Sequence, residues 1–371
     1  MKHLDEYRDA ALCRELSRRI EQVAGHRYIT LMEVCGTHTM AIFQYGIKDL
    51  LPPNVNLLSG PGCPVCVTPN AYLDQAVAYC RREEVLVATF GDMLRVPGSS
   101  SSLIKERAQG ADVRLVYSPA DALELARNNP KKKTVFLGIG FETTSPSVAA
   151  AIADAQQEGV KNFYVLVGHK VLPPALKALV TDDSLKLHGL ICPGHVSAIT
   201  GCGIYQFLAE EQGIPCVVTG FEPADILQSV LMLITQIVQG RSQVENQYRR
   251  VVPYEGNASA RALVEDVFQR KESEWRGLGE IPSSGLVIRS RYRDHDAEAN
   301  IRVQVEPTAE HPGCICGLIL RGQKNPLDCS LFAQACSPEH PVGACMVSSE
   351  GTCAAQFRYG RLGIHREISY S

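Results

Sequence analysis

Long hydrophobic runs are absent from this 371-residue chain. Its most apolar helical stretch, ILQSVLMLITQIV (226–238), is too short and too polar to cross a bilayer. The first twenty residues, MKHLDEYRDAALCRELSRRI, are charged throughout and hold no apolar signal core. An excess of either charge is also missing: 37 Lys and Arg face 40 Asp and Glu, a formal net charge of −3. That balance favours neither nucleic acid nor an anionic membrane as partner. No Walker A sequence and no G-x-G-x-x-G follows a candidate strand, so nucleotide binding has no support. Low-complexity tracts are lacking, PGSSSS (97–102) being the one flexible-looking loop. What remains is an ordinary globular balance, 45% apolar and 21% charged, in a chain long enough for two or three domains. The expectation is a soluble, cytoplasmic protein.

From about residue 28 to 240 one theme repeats: a short apolar run, a polar or glycine-rich motif, then a helix-like segment. The runs are YITLMEV (28–34), NVNLLS (54–59), EVLVATF (84–90), DVRLVYS (112–118), TVFLGIG (134–140), NFYVLVG (162–168), LHGLICP (187–193) and IPCVVTG (214–220). Several are continuously apolar, as parallel strands covered on both faces are. Stretches such as SPADALELARNN (118–129) and PSVAAAIADAQQEG (146–159) have helical periodicity behind a Ser or Pro. This predicts a doubly wound α/β protein with two parallel-sheet domains facing a cleft. Eight strands would also suit a closed barrel, but the similar endings GIGFETTSP (138–146) and TGFEPAD (219–225) favour two open sheets. The expected division is an N-terminal helix (1–27), α/β domains at 28–120 and 121–240, and a smaller Cys-rich domain at 241–371. The motifs CGTHT, GPGCPVC, GDMLRVPG, GFETT, GHK, PGHVS and GFEP all follow strand ends, the edge where open α/β sheets bind ligands.

Fourteen cysteines are many for a reducing compartment, where a surplus points to metal binding or thiol chemistry. Six fall between 314 and 353. Among them Cys316, Cys329, Cys336 and Cys353 leave twelve, six and sixteen residues between successive thiols. Four thiolates among Gly and Pro turns can wrap an iron–sulfur cluster or a zinc ion. The absence of close C-x2-C pairs favours a [4Fe–4S] cluster, with zinc still open, and the radical-SAM spacing C-x3-C-x2-C is not present. Cys63 and Cys66 form a C-x-x-C between a strand end and a helix start, the placement of a redox pair. Half a zinc site or an inert turn are the alternatives. In EVCGTHT, Cys35 and His38 at i and i+3 would let an imidazole hold the thiol as thiolate, to attack or to ligate a soft metal. Cys13, Cys80, Cys192, Cys202 and Cys216 read as small core residues. Glu142 and Glu222 read first as helix caps, His169 and His195 as structural or site residues with equal weight, and Asp92 with Arg95 as a local ion pair. Glu350 is a candidate neighbour of a cluster through Cys353.

Together MEVCGTHT, GPGCPVCV, GDMLRVPG, GFETT, PGHVS, GFEP, VENQYRRVVP, SEWRGLG and VSSEGTCAA resemble the HypD family of hydrogenase maturation proteins, from LDEYRD to past residue 355. The resemblance implies two Rossmann-like domains and a third carrying a [4Fe–4S] cluster. It also implies a scaffold that, with the chaperone HypC, holds iron while it acquires two cyanides and one carbon monoxide. HypE would supply the cyanide, from a precursor received through HypF, and the unit would pass to the large subunit of [NiFe]-hydrogenase. On that footing Cys35 binds the iron, His38 is its proton partner, Cys63 and Cys66 are redox thiols, and Cys316, Cys329, Cys336 and Cys353 hold the cluster. Cys314 and Cys345 are then supernumerary. Glu142, His195 and Glu350 are candidate cleft residues, and turnover by the chain alone is not expected. A freestanding thiol–disulfide oxidoreductase with an iron–sulfur cluster is the alternative, and a zinc-stabilised binding protein a weaker third.

Overall fold

A computed structural model describes residues 5–182 and 184–360. All eight apolar runs are strands: β1 (Ile29–Glu33), β2 (Val55–Ser59), β3 (Val85–Thr89), β4 (Val113–Leu115), β5 (Lys133–Gly138), β6 (Phe163–Val167), β7 (Gly189–Pro193) and β8 (Cys216–Thr219). Every residue of β3, β7 and β8 is buried, which is why these runs do not alternate. The predicted helices lie at Pro119–Asn128 and Ser145–Glu158; the first opens on a capping box in which Ser118 and Asp121 each bond the other's backbone amide.

The strands form two open parallel sheets, but not the two that chain order suggests. Together with β9 (Val244–Asn246), the first has the order β2-β1-β7-β8-β9, and the second runs β4-β3-β5-β6. A division at residue 120 is therefore corrected. The first sheet draws on 29–59 and 189–246, and the second is inserted between them at 85–167. The physical reason lies in edge pairing: β1 takes Gly189 opposite Leu31, so β7 completes the sheet that β2 leaves open on that side.

The boundary at 241 also moves. β9 still belongs to the first sheet, and the hairpin β10 (Phe268–Trp275) and β11 (Gly279–Ile288) packs on the second, sharing a core with Phe163, Val165 and Ile152 through Phe268, Leu286 and Ile288. Sequence periodicity misses this hairpin because β10, FQRKESEW, buries only its two ends. Trp275 anchors it, stacked on Phe141 and donating its indole N–H to Ser284 at 2.9 Å.

The expected N-terminal helix spans Ala10–Ala24, capped by Asp9 accepting from the Leu12 amide. Its stripe of Cys13, Leu16, Ile20 and Ala24 packs on helix Pro223–Val238 over one face of the first sheet. Cys13, Cys80, Cys192, Cys202 and Cys216 are all buried, as read from the sequence. Among the described residues no helix is long and apolar enough to cross a membrane.

Candidate functional site

The carboxyl end of β1 carries the first group. Cys35 occupies the N-cap of helix Gly36–Gln44 in extended backbone, yet its own side chain makes no capping hydrogen bond. Glu33 does the local bonding instead. One oxygen of its fully buried carboxyl accepts the Cys35 amide at 2.9 Å and the other accepts the Thr39 hydroxyl. The thiol is left free of structural duty. Burial pushes it up to about 12, the Glu350 charge adds to that, and the backbone amides of His38 and Thr37 pull the other way. Binding a metal there must release a proton.

Two other segments close on this turn. The carbonyl of Gly62 accepts the Gly36 amide at 2.9 Å, and a side chain at Gly62 would place its Cβ 2.1 Å from the Cys35 nitrogen. The GPGCPVC loop thus lies directly on the Cys35 backbone, and only glycine permits the approach. Cys63 caps the short helix Pro64–Val67 and is disulfide-bonded to Cys66, both residues being buried. From the other side Glu350 accepts the Thr37 hydroxyl at 2.7 Å and lies against Gly36. Helix Thr352–Tyr359, which carries Cys353, packs on helix Gly36–Gln44.

His38 is fully buried, and its Nε2 lies 2.9 Å from the Gly220 carbonyl rather than on the thiol, which corrects the expected thiol–imidazole pairing. The carbonyl fixes Nε2 as the protonated nitrogen, leaving Nδ1 a bare acceptor without a partner among the described residues. Burial holds the imidazole down at about 4, so it is neutral at pH 7. The Phe221 ring lies between His38 at 4.7 Å and His195 at 4.0 Å, centroid to centroid. His195 therefore belongs to this site, on its exposed edge.

That loop is braced by the fully buried Asp225. It takes both Arg250 nitrogens at 2.6 and 2.8 Å and the Gln247 amide at 2.7 Å, and Gln247 in turn accepts the Gly220 amide. Asp225→Ala would strand these donors, and a loss of roughly 3 kcal/mol in denaturant-unfolding stability is expected. A midpoint unchanged from wild type would show the brace to be idle.

The six C-terminal cysteines line a single small cavity with Ile319, Leu331, Phe332 and Met346. Cys314 and Cys345, supernumerary by the family resemblance, are on it too, and the Cys345 sulfur lies 2.6 Å from that of Cys316. Burial raises the Cys353 thiol well above its ordinary value. The charge of buried Arg276 acts the opposite way on Cys314, Cys316 and Cys345. Among the described residues no three His, Cys, Asp or Glu side chains are grouped as a single metal ion requires. Thiolates are donors that both zinc and iron–sulfur clusters accept, so the chemistry of this donor set suits either group.

The cavity and the other thiols are contiguous. Helix Ala344–Val347, bearing Cys345, packs on helix Pro64–Val67, bearing Cys66. Arg276 ties the same region by donating its backbone amide to Val67 and its side chain to Thr68 and Asn70. From cavity to C-x-x-C to Cys35, each segment touches the next.

A family model, described as the hydrogenase formation hypA family and labelled HypD, matches residues 11–360. The chain belongs to the HypD family. It is similar to the hydrogenase maturation factor HypD of Rhodobacter capsulatus, 50% identical over 97% of this chain and 98% of that protein. The HypD of Azotobacter vinelandii is 49% identical over 97% of both chains, and that of Escherichia coli K12 is 45% identical over 97% of this chain and 98% of its own. The role in hydrogenase maturation read from the motifs is thus that of the family.

Of the residues singled out in the sequence, this HypD-family fold brings Cys35, His38, Cys63, Cys66, His195 and Glu350 into adjoining segments. Glu142 lies elsewhere, accepting the Leu172 amide at 2.8 Å and lining another cavity. Asp92 and Arg95 do not form the expected ion pair. Arg95 donates to the carbonyls of Pro338 and Val347, fastening the Cys-rich segment, while the Asp92 charge acts on Glu350. Glu33 was missed; the signal available was a charged residue inside an otherwise apolar strand. Its carboxyl is pushed up to about 7 by burial, against an ordinary 4.5. A carboxyl raised on folding adds stability that is full below its unfolded value and is lost as pH rises through its folded one. Between pH 4.5 and 7, Glu33→Gln is therefore expected to remove up to about 1.4 kcal/mol per pH unit of the wild-type decline, read as the difference between the two proteins in urea unfolding. Parallel curves would contradict it.

Proposed function

We propose that the Cys35 turn holds an iron cargo while that iron acquires cyanide and carbon monoxide ligands, in complex with a HypC-type chaperone and a HypE-type partner. The finished unit would then pass toward [NiFe]-hydrogenase. The observation that carries this reading is the Gly62 contact, which joins a thiol with no structural duty to a buried dithiol pair adjoining a six-thiol cavity. A low-spin iron with strong-field ligands suits a soft thiolate anchor.

Cys316, Cys329, Cys336 and Cys353 are the ligands proposed for a resident [4Fe–4S] cluster, which when bound supplies single electrons. Cys63 and Cys66 store two electrons as thiols and release two electrons and two protons on forming their disulfide. His38 offers Nδ1 to a proton from within the helix that Cys35 caps. Burial of both cysteines speaks against a freestanding thiol–disulfide oxidoreductase, whose attacking sulfur must be reached by an external disulfide.

The experiment is iron and acid-labile sulfide analysis with electron paramagnetic resonance on anaerobically purified chains. Serine at any of the four proposed ligands is expected to abolish the reduced-cluster signal. Serine at Cys314 or Cys345 should retain it. Zinc in place of iron and sulfide, or loss of the signal only at the latter two positions, would refute the ligand set.

A further inference from the structure

The motifs GFETT and GHK take no part in the Cys35 site, yet their charged residues meet at a cavity of about 330 Å³ between the second sheet, the end of helix Gly194–Thr200 and strand β10. Four cations, Lys170, Arg261, Arg270 and Arg289, line it against two carboxyls, Glu142 and Glu265. Lys170 and Arg261 are spoken for. Lys170 donates to Ser273 and to the Glu274 carbonyl, and Arg261 to the Thr200 and Glu255 carbonyls. Arg289 uses its Nε on the Glu265 and Phe268 carbonyls, leaving its terminal nitrogens without a hydrogen bond among the described residues. Arg270 has neither hydrogen bond nor ion pair among those residues, although its charge reaches Glu142.

Glu142 supplies the second observation. One carboxyl oxygen caps Leu172, while the other, Oε2, is buried with no partner among the described residues. An orphaned buried acceptor is costly, and native structures rarely leave one without a reason. An inner carboxyl oxygen, outer free guanidiniums and mainly apolar walls suit a molecule with complementary ends.

We propose that this cavity binds a small organic anion that carries an amide at one end and a carboxylate at the other. The amide meets Glu142, since it can offer an N–H to a carboxylate or a C=O to a carboxylic acid. The carboxylate meets Arg270 and Arg289, whose forked donors match it. The volume lies at the low end for ligand pockets, which selects a small metabolite. The site is independent of the iron reading: it shares none of the thiols and stands or falls by itself.

The test uses the full chain and three probes: N-acetylglycine, acetate and acetamide, followed by ligand-observed NMR titration. N-acetylglycine is expected to bind about tenfold or more tighter than either fragment. Arg270→Ala, at an exposed position, should weaken N-acetylglycine and acetate by about tenfold and leave acetamide unchanged. Glu142→Leu should weaken N-acetylglycine and acetamide and spare acetate; circular dichroism confirms that each variant is folded. No saturable binding of N-acetylglycine would overturn the proposal. So would binding indifferent to Arg270→Ala, which would mark contact elsewhere on the chain.

Discussion

Replacing Cys35 with alanine is expected to bring hydrogenase activity to background in cells where the variant is the sole HypD-family protein, while the purified chain keeps the iron and sulfide content of the wild type. The expectation rests on a division of labour inside one turn. Glu33 holds the Cys35 amide and the Thr39 hydroxyl, so removing the sulfur leaves both of these hydrogen bonds at the helix start in place. Deleting a single buried atom costs about 1 kcal/mol or less, too little to unfold the domain. A structural cysteine would fail by instability, whereas a ligand fails with its fold intact. Cys35→Ser sharpens the distinction, because it preserves the shape and exchanges a soft donor for a hard one. Hydrogenase activity retained by Cys35→Ala would remove the residue from the chemistry.

The second large effect is steric. A side chain at Gly62 would place its Cβ within 2.4 Å of the Cys35 nitrogen, the Cys35 Cα and the Val34 carbonyl carbon. All three are backbone atoms, so no rotamer change relieves the collision. Gly62→Val is expected to cost about 3 kcal/mol, lowering the melting temperature by roughly 5–10 °C. Displacing the Cys35 turn should also abolish hydrogenase maturation. Gly203→Ala is the matched control, since nothing lies within 4 Å of its added Cβ. Equal melting temperatures for the two variants would show that the C-x-x-C loop does not bear on Cys35.

The eight parallel strands were legible because burial on both faces writes a continuous apolar run into the sequence. Their grouping was not legible. Residue identity in β1 and β7 says that each is central, but not that Leu31 will face Gly189 across 158 residues. The hairpin was hidden because Gln269–Glu274 is polar and its stability comes from Trp275 and Phe268 at its ends. In the site, Cys35 and the C-x-x-C were visible as reactive residue types at strand ends, and Glu350 through its nearness to Cys353. Glu33 showed only as a charged residue within an apolar run, and its role appears when the turn beyond it is folded. The converse holds for Glu142: its motif ends a strand like the others, but the inserted second sheet carries it to a separate cavity.

Infrared spectroscopy on the chain co-produced anaerobically with the proposed HypC-type and HypE-type partners decides whether Cys35 anchors the iron. Iron-bound cyanide and carbon monoxide give bands in a window free of protein absorption, and they report the proposed cargo separately from the proposed cluster. The wild type is expected to show those bands and Cys35→Ala to lack them, with acid-labile sulfide content equal in both. Bands of equal strength in the two proteins would place the cargo elsewhere and contradict the assignment of Cys35 as its anchor.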